Sequence, residues 1–171
     1  MADGTTPDPL RIALLTLSDS RDESSDRSGA YLREELGAAG HTVVDKVICA
    51  DEIWPLRQQL CGFVAQGLDV VISSGSTGVT GRDIAPEAFE PLFDKSLPGF
   101  GELFRQLSYD EIGASALQSR ATAGLCGRTL VFVLPGSTGA CRLALEKIIL
   151  PQLDARTKPC NFAGLRGRFA E

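Results

Sequence analysis

Two aspartates and two copies of one tetrapeptide are the residues best equipped for chemistry. Gly-Ser-Thr-Gly occupies positions 75–78 and returns at 136–139. Each copy stands between a short apolar run and a segment of helical spacing. Glycine lets consecutive backbone N–H groups face one way without a Cβ in between. Ser and Thr hydroxyls add donors, and a helix N-terminus behind the turn carries about half a positive charge. Turns of this kind bind anions, and phosphate suits them. Two such turns could hold two phosphates, or two ends, of one ligand. Gly, Ser and Thr are also ordinary turn residues, so either copy alone is ambiguous.

Asp51 follows an apolar run in "ICADEIW", and Asp83 follows the first tetrapeptide in "GVTGRDIAPEAF". Both leave the ends of expected strands, so both can face one pocket. A carboxylate pair beside a phosphate site is the usual way to hold magnesium, which then bridges phosphate oxygens. Each aspartate alone can equally be a turn or capping residue. The loop "TLSDSRDESSDRSG" adds Thr16, Ser18, Asp19, Asp22, Asp26 and Ser28. It either completes the pocket or is a solvated acidic turn with Asp26 or Ser28 as a helix cap.

The elements that must position these groups read as β-α-β-α-β. "LRIALLTL" (10–17) is a continuous apolar run, as in a strand covered on both faces. "SGAYLREELGAAG" (28–40) has helical spacing and ends on a capping Gly40. "HTVVDKVIC" is a strand, "EIWPLRQQLCGFVAQG" a helix, and "LDVVISS" a strand. Short connections and this alternation predict a parallel sheet with helices on both faces. In such sheets ligands lie beyond the C-terminal strand ends, where both tetrapeptides fall. "PEAFEPLFDK" reads as helical, and "PGFGELFRQLSYDEIGASALQSRATAGLCG" as short helices broken at Gly and Ser. "RTLVFVLP" is a strand and "ACRLALEKIILPQL" a helix. The tail "DARTKPCNFAGLRGRFAE" has little periodicity and either packs on a neighbour or is loose.

Composition narrows the functional classes. Net charge is −5 over 171 residues, with both signs interspersed, which disfavours nucleic acid and anionic membrane. No apolar stretch approaches about 18 residues, so no membrane span is expected. "MADGTTPDPL" lacks the pattern of a signal peptide, and a cytoplasmic protein is expected. Residues 1–9 read as a flexible segment and 10–171 as a single domain. Five cysteines without Cys-x-x-Cys spacing read as small buried hydrophobes. His41 is the only histidine, which argues against a His-based zinc site or a Ser-His-Asp triad. Neither a Gly-x-Gly-x-x-Gly nor a Gly-Lys-Ser/Thr motif occurs.

"SSGSTGVTGRDIAPEAFEPLFDKSLPGFGELFRQLSYDEIGASALQSRATAGL" resembles the core signature of the MoaB/Mog family of molybdenum cofactor biosynthesis proteins. "LPGSTGACRLALEKIILPQLDARTKPCNF" is similar to the closing part of its MoaB branch, and the resemblance covers roughly residues 10 to 162. It implies a three-layer α/β/α fold whose mostly parallel central sheet can carry one antiparallel edge strand. It also implies a homo-oligomer, trimer or hexamer, in contact with other proteins of the pathway. The implied activity is adenylylation of molybdopterin. Its terminal phosphate attacks the α-phosphate of MgATP and pyrophosphate leaves. On that resemblance Asp51 and Asp83 are the catalytic, Mg2+-binding residues. Ser18, Ser74, Gly75, Ser76, Thr77, Gly78, Pro135, Gly136 and Ser137 bind substrate. Arg82, Arg105 and Glu102 are further candidates.

The chain departs from the family pattern at Ser76, where a glycine is usual, and at Ala85, where a capping Thr is common. Pro-Gly-Ser-Thr also stands where many active members have Pro-Gly-Asn-Pro. If position 76 requires a positive φ, serine there costs on the order of 1 kcal/mol or more. These departures favour a second reading, an oligomer that binds molybdopterin or its precursor without adenylylating it. A flavodoxin-like module gripping flavin phosphate through Thr16 and Ser18 is a third, disfavoured by the Arg-Asp-x-x-Pro-Glu continuation.

Overall fold

The computed structural model describes residues 9–169 and 171. Residues 1–8, most of the segment expected to be flexible, lie outside the described residues. The strands are β1 (Arg11–Leu17), β2 (Thr42–Cys49), β3 (Val70–Ser74), β4 (Lys95–Ser96), β5 (Thr122–Cys126) and β6 (Thr129–Leu134). They form one sheet in the order β2-β1-β3-β6-β5-β4. β2, β1, β3 and β6 pair in parallel, and β5 runs antiparallel to both β6 and β4.

The helices are α1 (Arg27–Ala38), α2 (Ile53–Ala65), α3 (Ala85–Phe89), α4 (Pro98–Ile112), α5 (Thr138–Ala144), α6 (Leu150–Leu153) and α7 (Phe162–Leu165). A π turn over Leu145–Ile149 joins α5 to α6. Because strand side chains alternate, the sheet has two apolar faces. Ile12, Leu14, Val70, Ile72, Leu130 and Phe132 pack with Leu32 and Leu36 of α1 and Phe100 and Phe104 of α4. Ala13, Leu15, Val71, Val131 and Val133 pack with Leu56, Leu60 and Phe63 of α2 and with Ala88 and Phe89 of α3. The result is the three-layer α/β/α arrangement. From β1 the chain steps outward to β2, then returns to place β3 on β1's other side. The crevice beyond the C-terminal ends of β1 and β3 is therefore the switch point of the sheet, the usual ligand position in open α/β folds.

Two segments differ from the sequence expectation, and a third resolves an open one. Residues 98–112 form one 15-residue helix, not short broken ones. Gly101 inside it does not break it but admits a close neighbour, since a Cβ there would come 2.5 Å from the Ala121 carbonyl oxygen. β5 lies in "ATAGLC", which lacks the aliphatic alternation of a strand. Its Gly124 leaves room for the Phe93 ring, which a Cβ would approach to 2.3 Å. The tail is neither loose nor free of local structure. Phe162 and Phe169 pack against the core, and the Asn161 side chain accepts from Gly164 N at 2.6 Å.

Cys141 is buried, as expected of a small hydrophobe, whereas Cys61 and Cys160 are exposed.

Candidate active site

Three strand ends converge on Gly75. Its N–H donates to the Leu134 carbonyl at 2.9 Å, tying the end of β3 to the end of β6. Its φ is +111°, and a Cβ would sit 2.5 Å from the Leu17 carbonyl oxygen at the end of β1. Gly136 lies against it, since a Cβ on Gly136 would come 3.2 Å from the Gly75 Cα. The two Gly-Ser-Thr-Gly turns therefore touch through their glycines.

The first turn is bent further by Ser76, the one non-glycine with positive φ (59°) among the described residues. Its hydroxyl accepts from Ile84 N at 2.9 Å and donates to Arg82 O at 3.1 Å. Its carbonyl accepts from Ala85 N at 2.9 Å. α3 begins at Ala85 without a side-chain cap of its own. The Ser76 hydroxyl satisfies a free N–H at that helix start. One residue thus accounts for both departures, accepting a strained dihedral and taking over the cap that Ala85 lacks. The second turn is ordinary by comparison. Ser137 stands immediately before α5 and accepts from Ala140 N at 3.2 Å.

Between the turns and the β1 loop lies an open cleft of about 340 Å3, walled by Ser18, Asp19, Arg21, Asp51, Gly75, Ser76, Arg82 and Gly136. Ser18 accepts from the N–H groups of Ser20 and Arg21 at 3.2 and 3.1 Å, which coils the β1 loop around its hydroxyl. Arg21 donates across the cleft to Gly136 O at 3.3 Å and to Ser28 Oγ at 3.1 Å. Asp19 accepts from Asp51 N at 3.1 Å and pairs with Arg82 at 3.2 Å.

Asp51 is the unusual group. Its Oδ1 is buried and, among the described residues, has no hydrogen-bond partner. Burial pushes its carboxyl above the usual range. Ser76 and Arg82 pull it down, while the charges of Asp19 and Asp83 push it up. The Asp83 charge is the weakest of these influences on Asp51, and Asp83 is not among the residues that wall the cleft. Asp83 stands behind the first turn. Its Oδ2 accepts from the backbone and hydroxyl of Thr80 at 2.8 and 2.6 Å. The Thr80 hydroxyl, followed by its N–H and that of Gly78, holds the carboxyl below its ordinary value.

The remaining expected site residues support this wall from behind. Ser74 and Thr77 are buried beneath it. Gly78 allows the Asp83 carboxylate its place, since a Cβ would come 2.7 Å from Asp83 Oδ2. Pro135 presents its carbonyl to the Cys141 thiol at 3.2 Å. Arg105 and Glu102 belong to a different cleft, where Arg105 donates to Ser119 O and Ala121 O. Sequence reasoning missed two arginines. Arg21 crosses between loops, and Arg120 grips the first turn from outside. Arg21 lies in the β1 loop, a possible part of the pocket, but there the acidic and hydroxyl residues carry the signal. Arg120 lies in a stretch whose pattern announces nothing, 37 positions from Asp83.

Among the described residues no three acidic, His or Cys groups gather to hold a metal, so a divalent cation here would rest on Asp51 and on its ligand's own oxygens. It would satisfy Asp51 Oδ1, which finds no hydrogen-bond partner among the described residues, and favour the ionised form that burial disfavours.

Residues 13–155 match the family described as "Probable molybdopterin binding domain". The chain belongs to the MoaB branch of the MoaB/Mog family. It is 55% identical over 155 residues to Molybdenum cofactor biosynthesis protein B of Escherichia coli K12, covering 90% of this chain and 91% of that one. A protein of the same name from Bacillus subtilis is 46% identical over 149 residues, covering 86% and 88%. Among solved structures, the tungsten cofactor synthesizing protein MoaB from Pyrococcus furiosus superposes with a TM-score of 0.75 at 39% identity, covering 83% and 91%. Another Molybdenum cofactor biosynthesis protein B reaches 0.83 at 48% identity, covering 86% and 92%. Among the described residues no helix is long and apolar enough to cross a membrane.

Proposed function

We propose that this protein acts in molybdenum cofactor biosynthesis and adenylylates molybdopterin with MgATP. The observation that carries the reading is the cleft itself. Two phosphate-type turns meet at Gly75 and Gly136, and beside them lies a buried carboxylate oxygen that has no hydrogen-bond partner among the described residues. The family match and the names of the relatives support the pathway.

In this reading the chain does little covalent work and much positioning. The N–H groups of the first turn after Gly75, whose own N–H is spent on Leu134 O, and the Ser18 hydroxyl hold the terminal phosphate of the pterin. The second turn, with the start of α5 behind it, receives a further part of the ligand. Arg82 is largely exposed and held at the rim by an ion pair with Asp19, so it can turn to a nucleotide phosphate. Arg21 keeps the β1 loop against the second turn. Asp51 is the residue of the cleft that would hold magnesium, with Asp83 behind the first turn as the second carboxylate. When bound, that ion neutralises phosphate charge as the phosphates approach and pyrophosphate leaves.

A binding-only reading draws on one feature, the engagement of Asp83 Oδ2 by Thr80 in the absence of ligand. Pyrophosphate release from MgATP and molybdopterin separates the two. Wild type is expected to release it, and Asp83→Ala to fall by about a hundredfold or more. A wild type that binds the pterin and releases none would leave only the binding reading.

The homo-oligomer is part of the same proposal. Tyr109 and Ile112 of α4, with Leu117 just beyond, are exposed apolar residues near one another in sequence, as a subunit contact would require. Sedimentation equilibrium reads the trimer or hexamer directly.

A further inference from the structure

Arg120 reaches the first turn from the loop just before β5 and makes three contacts with its guanidinium. Nε donates to Gly78 O at 2.7 Å and Nη2 to Asp83 O at 2.7 Å. Nη1 forms an ion pair with the Glu87 carboxylate of α3. The backbone N–H of Arg120 also donates to Thr77 O at 2.9 Å. Every one of these partners lies within residues 77–87. The two carbonyls mark the points where the 79–82 excursion leaves and returns. A planar fork bonded to both fixes the distance between them, which a single ammonium cannot do.

Other features of the segment need that distance held. Asp83 projects from the return point, and its carboxylate packs against Gly78 so closely that no Cβ would fit. The stretch that begins at Gly78 carries a second glycine, Gly81, and an exposed Val79, and buries little that could hold it. The Ser76 hydroxyl braces the same segment from the cleft side through Arg82 O and Ile84 N. Arg120 braces it from the opposite side.

We infer that Arg120 is a positioning residue: it staples the base of the 78–83 loop and so sets where the Asp83 carboxylate stands for a metal–nucleotide ligand. The role deepens the function proposed above and rests on it for the identity of that ligand. Arg120 touches no reacting atom and acts through Asp83 and the Gly78 turn.

Two readouts test it, one of which needs no ligand. Amide hydrogen exchange is measured on wild type, Arg120→Ala and Arg120→Lys, and Mn2+ binding with ATP is followed by electron paramagnetic resonance. For Arg120→Ala, exchange should rise locally over residues 77–84 while the strands stay protected. Mn2+ affinity should fall about 10- to 100-fold, the usual cost of losing a group that orients a metal ligand. Millimolar guanidinium, far below denaturing concentrations, should restore part of both. Arg120→Lys keeps the charge near Glu87 and loses the fork. It should lie between wild type and alanine, and it serves as the test variant if the alanine protein fails to fold. Unchanged exchange over 77–84 would overturn the staple. So would a uniform rise across the sheet, which would mark a general loss of stability. If wild type binds no Mn2+ with ATP, the functional reading fails, and the staple stands or falls on the exchange data alone.

Discussion

The same four residues, Gly-Ser-Thr-Gly, are built in two different ways at the ends of two neighbouring strands, and the contrast explains this site. At 136–139 the turn leads straight into a helix, with Ser137 capping Ala140 N one turn ahead. At 75–78 the serine has φ of +59° and braces a helix start eight positions on, across a loop stapled by Arg120. The tetrapeptide is identical, so its conformation is set by the residues after it and by the elements that press on it. Ala-Cys-Arg continues a helix at once, whereas Val-Thr-Gly-Arg-Asp cannot, and β1 presses on Gly75 but not on its counterpart. One turn is a rigid cap. The other is a held loop that positions a carboxylate.

Substitutions placed in one turn and then in the other break or sharpen this contrast. Gly75→Ala should cost the most. The dihedral alone is worth about 1–3 kcal/mol. The Cβ placed 2.5 Å from Leu17 O adds a backbone clash, so the expected result is failure to fold or a loss of more than about 3 kcal/mol in urea unfolding. Gly139→Ala in the other turn lies in a helix with open space around it, and should be neutral or slightly stabilising. If both cost the same, the two turns do not differ as described.

The loop after β1 supplies a third kind of anchor, an electrostatic one. Asp26 is buried, accepts from Thr16 Oγ1 at 2.8 Å and Gly29 N at 2.9 Å, and pairs with Lys46 at 3.0 Å. Burial raises its pKa, but the Gly29 amide, Lys46 and Thr16 together outweigh that and hold it below the ordinary value. The folded state therefore favours the ionised form. That stability is in place above pH about 4 and is lost as pH falls through the depressed value. Asp26→Asn should cost about 3 kcal/mol at neutral pH. It should also flatten the decline in melting temperature on acidification, which neither serine turn would affect.

The serines themselves come last. Ser137→Ala removes a helix cap and should cost about 1 kcal/mol. Ser76→Gly relieves the positive φ and loses the brace to Ile84, two effects of about 1 kcal/mol each that oppose one another. Its melting temperature should barely move. Ser76→Ala keeps the strain without the brace, and should fall below both.

Much of the fold is legible in the residues. Continuous apolar runs mark β1, β3 and β6, because strands covered on both faces have no polar alternation to hide them. The tetrapeptides and Asp51 identify the strand ends at the switch point. The features that stay hidden depend on contacts made across the fold. β5 is small-residue backbone shaped to fit Phe93, and α4 contains a glycine that serves a neighbour instead of ending the helix. Arg120 reaches its partners only once β5 has been placed. The role of Ser76 as a remote cap is set by a backbone dihedral, and no local pattern encodes that.

The Asp51 carboxylate beside the two joined turns is proposed to serve adenylyl transfer. Pyrophosphate release from MgATP and molybdopterin by wild type and Asp51→Asn tests it most directly. The substitution keeps the shape of the side chain and removes the charge that a cation at the unpartnered oxygen would require. The expected result is steady release by wild type and a fall of about a hundredfold or more in the variant, with pterin binding retained. Equal rates for the two proteins would contradict the account.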